Sequence, residues 1–71
     1  MIDLVRVSSS KLHSVGYDLS AQILRIKFNR RGIYDYYNVP EPTYNELMNA
    51  TSKSEYFASH IKGRFIFNKI E

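Results

Sequence analysis

Residues 23–40, ILRIKFNRRGIYDYYNVP, read as a β-hairpin that runs into the start of a helix. Leu24, Ile26 and Phe28 alternate with Arg25, Lys27 and Asn29, the period of two that gives a strand one buried and one wet face. Beyond Arg30, Arg31 and Gly32 comes a second extended run, Ile33 to Val39, rich in aromatic and β-branched residues and closed by Pro40. A register that pairs Phe28 with Ile33 would set Ile26 against Asp35 and aim a carboxylate into the core, which is costly. A loop of about three residues with Gly32 left-handed in a bulge avoids this, because a residue without Cβ takes positive φ unstrained. That loop pairs Asn29 with Ile33, Phe28 with Tyr34 and Ile26 with Tyr36. The opposite face then carries Lys27 against Asp35 and Arg25 against Tyr37.

Working outward, residues 3–7 alternate like an edge strand, and Ser8, Ser9 and Ser10 interrupt it with local side-chain to backbone bonding. Residues 12–18 form the next strand, in which Gly16 marks a bulge or a close approach of another backbone. Three antiparallel strands are expected by Val39. Pro40-Glu41-Pro42 then starts a helix whose apolar stripe is Tyr44, Leu47 and Met48. Ser52 and Glu55 have the spacing of a capping box for a second helix, with Tyr56, Phe57, His60 and Ile61 on its apolar face and Gly63 as its terminal cap. His60 is expected to be partly buried there. Residues 65–70 form the last strand. The fold class is therefore α+β, a small antiparallel sheet in β-β-β-α-α-β order with two short helices packed on one face. Nearly every apolar side chain is expected to be used by the core.

The 71 residues make a single domain, residues 1–71, near the size limit for a core without covalent staples. With no cysteine there is no disulfide framework and no thiolate metal site. The N-terminal stretch has no basic and apolar leader pattern, and no window is long and apolar enough to span a membrane, so a soluble cytoplasmic protein is expected. Catalytic motifs are missing: Ser8, Ser9, Ser10, His13 and Asp18 have no frame that exposes a nucleophile, and His13 and His60 have no metal-ligand spacing. The three glycines are isolated, so no phosphate loop exists. No enzyme, cofactor, metal or small-molecule substrate is expected.

Net charge is +3, and four cations, Arg25, Lys27, Arg30 and Arg31, crowd the hairpin with only Asp35 nearby. Such a cluster reads either as a solvated face or as an anion-binding surface. Tyr34 and Tyr36 read either as base-stacking platforms on the sheet or as core residues; the register puts them on the core face, which leaves Tyr37 beside the cations as the better stacking residue.

Ser9-Ser10, Gly16-Tyr17-Asp18, Leu24-x-Ile26-x-Phe28, Tyr34-x-Tyr36, Val39-Pro40, Ala50-x-Ser52 and Tyr56-Phe57 with Ile61 together resemble the KTSC domain. That small module is named after the C-terminus of certain lysyl-tRNA synthetases and also stands alone in bacteria. The resemblance covers nearly the whole chain, with Tyr34, Tyr36, Val39 and Pro40 as its central motif. It departs at Ser54, where the family usually has Gly, and at Ala58, where it has Asn. The attachment to a tRNA synthetase implies RNA as a partner, in line with the basic strip. A non-enzymatic module that binds RNA through Arg25, Lys27, Arg30, Arg31 and Tyr37 is the first expectation. The alternative is a module that docks a protein partner or itself, through an edge strand or the Ile66 and Ile70 face.

Overall fold

The computed structural model describes residues 2–71. Its elements are β1 (Val5–Arg6), β2 (Leu12–Asp18), β3 (Ile23–Phe28), β4 (Gly32–Tyr36), α1 (Glu41–Asn49), α2 (Lys53–His60) and β5 (Phe67–Lys69). The strands form one sheet in the order β1-β2-β3-β4-β5, with every neighbouring pair antiparallel. The α+β class is as expected. Four strands precede the helices rather than three, with the expected edge strand shortened to Val5 and Arg6, which pair with Val15 and Ser14. Serine-rich residues 8–10 keep that edge strand short, and Ser9 Oγ accepts from the Lys11 and Leu12 backbone N–H groups at 3.3 Å. The last strand is likewise shorter than residues 65–70.

The hairpin register differs from the expected one by two residues. Leu24 pairs with Tyr36, Arg25 with Asp35, Ile26 with Tyr34 and Phe28 with Gly32, so residues 29–31 make the loop. Gly32 does take a positive φ, +92°. A slip of two keeps each side chain on its face, so Tyr34 and Tyr36 stay on the core side. What it changes is the partner of Asp35, which meets the planar fork of Arg25 instead of Lys27. The two charge-assisted bonds of that pair, at 2.7 and 2.9 Å, favour this register for a carboxylate whose side chain is only 8% exposed. At Gly32 a Cβ would also collide with the Glu71 carbonyl oxygen, because residues 70 and 71 bulge against Ile33. A bulge in β2 falls between Leu12 and Ser14, and Gly16 provides a close approach: a Cβ there would lie within 2.6 Å of the Asp3 carbonyl oxygen and the Ile2 side chain.

Leu12, Val15, Leu24, Ile26, Tyr36, Val39, Leu47 and Ile61 form the buried core, which joins one sheet face to both helices. Pro40 caps α1 in extended geometry, and Tyr44 stacks on Tyr17 with ring centres 4.8 Å apart. Ser52 accepts from the Glu55 N–H at 3.4 Å, and the reciprocal half of the expected capping box is not formed. After α2 the Lys62 N–H returns to the Phe57 carbonyl, and Gly63 follows at φ +77° with open space around it.

Two expectations about burial are corrected. His60 is exposed and stacks on Tyr56 at 4.3 Å instead of facing the core, because Ile61 alone turns inward at the end of α2. The core also leaves out several apolar side chains: Ile66 is 75% and Phe67 55% exposed, and Val5, Leu19 and Ile70 are exposed too. Ile66, Phe67 and Ile70 belong to β5 or its flanks at one edge of the sheet, and Val5 to the opposite edge.

Candidate nucleic-acid interface

The hairpin loop, the start of β2, the end of α2 and β5 enclose a groove of about 580 Å³. The sheet supplies Phe28 from β3, Tyr34 and Tyr36 from β4 and Phe67 from β5, and α2 supplies Phe57. Alternation along β4 puts both tyrosines on this side, and the β4–β5 ladder sets Phe67 directly across from Tyr36. The rings interlock edge to face: Phe28 meets Tyr34 at 5.5 Å and Phe57 at 5.2 Å, and Phe57 meets Tyr36 at 5.6 Å. Phe67 lies tilted against Tyr34 and Tyr36 at 5.8 and 5.7 Å.

Lys11, Arg30, Arg31 and Lys62 also line the groove, and the lining includes neither Asp nor Glu. The sole ion pair among the described residues joins Arg25 to Asp35, so these four cations have no carboxylate partner within ion-pair distance. Of the lining residues Tyr36 is only 5% exposed, and burial, reinforced by Tyr34, pushes its phenol up to about 12. Its hydroxyl makes no hydrogen bond to a described residue, in contrast to Tyr17, which donates to the Val39 carbonyl, and Tyr56, which donates to Glu46 at 2.7 Å. A hydroxyl in that position is free to donate to or accept from a ligand in the groove.

The structure divides the expected site residues between two faces. Arg30 and Arg31 line the groove. Arg25 and Lys27 lie on the reverse of the sheet, in the cross-strand rows Gly16-Arg25-Asp35-Asn68 and Arg6-Ser14-Lys27-Ile33. The hydrogen bond to Asp35, against the opposing effect of burial, holds Arg25 more firmly protonated than usual, and its charge is neutralised by the same carboxylate. Tyr37 is half-buried close to Arg25, with its N–H on the Ile66 carbonyl at 2.9 Å. Lys27 is exposed near His13, whose imidazole is held below its ordinary range by burial and then by the Arg6 and Lys27 cations; His13 Nδ1 bonds Ser14 Oγ at 2.8 Å. Sequence reading missed Lys11 and Lys62, which stand far apart in the chain and meet only across the groove. Tyr34 and Tyr36 were assigned to the core; they both pack there and wall the groove. Among the described residues no group of three His, Asp or Glu side chains is placed to hold a metal ion.

A family model described as the KTSC domain matches residues 8–65. The chain belongs to the KTSC domain family. The crystal structure of a KTSC domain protein from Yersinia pestis is 39% identical and superposes with a TM-score of 0.98 over 100% of both chains. A lysine–tRNA ligase of Nostoc punctiforme is 33% identical over 67 residues, which are 94% of this chain and 12% of the ligase. A protein of Tsukamurella paurometabola, 36% identical, is covered for 88% of its length by 83% of this chain, so the KTSC domain occurs both as an appendage and as a small protein. The KTSC match contains all four rim cations and every groove aromatic except Phe67, which β5 adds from beyond residue 65. No helix among the described residues is long and apolar enough to cross a membrane.

Proposed function

We propose that this KTSC domain is a cytoplasmic, non-enzymatic module that binds RNA. The observation that carries the reading is the aromatic groove rimmed by Lys11, Arg30, Arg31 and Lys62 without a carboxylate. Cations of that kind position a phosphate backbone, and aromatic walls accept bases with little sequence preference. The lysine–tRNA ligases that carry a similar segment act on a tRNA partner, which supports the same ligand class. Arg30 and Arg31 of the expected strip take part directly, whereas Arg25 serves the sheet through Asp35. Lys27 and Tyr37 lie behind the groove and are expected to contribute little.

The test is a titration with labelled tRNA and a single-stranded RNA at several salt concentrations. Neutralising about four phosphates on a single strand gives a log-log salt slope near −3. Arg30→Glu/Arg31→Glu should abolish binding, and Lys27→Glu should leave it nearly unchanged. Salt-independent binding, or full affinity in the double variant, refutes the reading.

The exposure of Ile66, Phe67 and Ile70 along the β5 edge favours a second reading, a module that pairs with a protein or with itself. A sedimentation coefficient that stays monomeric across a wide concentration range removes the self-pairing version.

A further inference from the structure

We propose that the groove receives one unstacked base of the bound strand, with the Tyr36 hydroxyl meeting the base edge and the rim cations holding the phosphates on either side. This deepens the RNA reading above and rests on it.

Size is the first support. A space of about 580 Å³ lies within the range of pockets that enclose a small ligand, roughly 300–1,000 Å³. It is large enough for one base, and a base that is stacked and paired in a duplex is not free to enter it. The walls are the second: Phe28, Tyr34, Phe57 and Phe67 offer ring faces and edges from three strands and a helix, and 55% of Phe67 remains uncovered. A flat heterocycle fits those surfaces, and an aliphatic chain would leave the Tyr36 hydroxyl without a partner.

That hydroxyl is the third support. Tyr36 is held by the core and opposite Phe67, yet its polar atom lacks a hydrogen bond in a structure that leaves no fully buried side-chain polar atom unpaired. The atom therefore keeps some contact with solvent, and Tyr36 is one of the residues that line the groove. Because it stays neutral well above physiological pH, it acts as both donor and acceptor. Such a group meets the mixed donor and acceptor edges of all four bases, so base preference is expected to be weak. Ser10, Asn29 and Ser54 add neutral polar atoms to the lining, and no lining carboxylate opposes a phosphate.

Fluorescence polarisation compares a labelled single-stranded oligoribonucleotide, the same strand made abasic and its duplex, each with the native protein and with Tyr36→Phe. The variant keeps the ring, and circular dichroism checks its fold. The native protein is expected to bind the intact strand about tenfold tighter than the abasic strand or the duplex. Tyr36→Phe is expected to weaken the intact strand by about three- to tenfold and to leave the abasic strand unchanged. Equal affinity for intact and abasic strands refutes base insertion and leaves RNA binding standing. An equal effect of Tyr36→Phe on both strands refutes the role of the hydroxyl. A free nucleoside monophosphate that competes as well as the strand overturns the part of the flanking phosphates. If none of the strands binds at low salt, the RNA reading fails and the base pocket with it.

Discussion

Replacing Arg25 by leucine tests whether this arginine belongs to the sheet or to a ligand. Its guanidinium reaches Asp35 directly across the β3–β4 ladder with Nε–Oδ1 2.7 Å and Nη2–Oδ2 2.9 Å. The side chains are 28% and 8% exposed, so the pair is largely but not wholly withdrawn from water. At an effective dielectric near 20 the direct attraction is at most about 4 kcal/mol, and the residual exposure of Arg25 reduces it to roughly 2 kcal/mol. Removing only the arginine also strands a buried carboxylate, which brings the expected loss to about 2–4 kcal/mol. The double variant Arg25→Leu/Asp35→Leu removes both charges and should recover most of that loss, since a packed apolar pair replaces a buried ion pair at little cost. Urea unfolding followed by circular dichroism on the two single variants and the double gives a coupling of about 1.5–3 kcal/mol. A coupling near zero, or single variants within about 0.5 kcal/mol of the native protein, refutes the structural assignment. The result also decides how binding data are to be interpreted: a charge-reversed Arg25 that no longer binds RNA would report a damaged sheet, not a lost phosphate contact.

Tyr36→Ala should cost about 3 kcal/mol or more in urea unfolding, as large aromatic truncations in a core do, because Tyr36 packs with Phe57 and Phe67. Gly32→Ala should lower the melting temperature by several degrees, about 1 kcal/mol or more, since the position combines φ +92° with contact against the Glu71 carbonyl; an unchanged melting temperature contradicts the observed register. Ser52→Ala should cost about 0.5–1 kcal/mol through the lost bond to the Glu55 N–H. Tyr36 binds its proton more tightly folded than unfolded, with its pKa raised from 10.0 to about 12. Its stabilisation is complete below pH 10 and is lost as pH rises toward 12, so alkaline unfolding should be shallower in Tyr36→Phe than in the native protein.

Local chemistry made much of the fold legible. The alternation in β3, the Pro40-Glu41-Pro42 start of α1, the Ser52 cap and the left-handed Gly32 depend on neighbours within a few residues, and each appears where expected. The hairpin register was not legible, because turn geometry alone permits two pairings that differ by two residues and share the same faces. The choice between them lies with Arg25, Asp35 and the backbone of Glu71, which approaches Gly32 from the far end of the chain. Edge exposure was illegible for a similar reason: Phe67 and Ile66 look like core residues until β5 is seen to form the outer edge of the sheet.

The candidate site shows the same division. The sequence by itself determined that the hairpin is basic, that Tyr34 and Tyr36 share the face of Ile26, and that Arg30 and Arg31 stand at the turn, since charge, alternation and glycine preference are properties of short segments. Only the tertiary structure decided that Arg25 is neutralised behind the sheet while Lys11 and Lys62 join Arg30 and Arg31 around an aromatic groove. That arrangement depends on strand pairing and helix placement, which bring together residues whose separation along the chain carries no local signal.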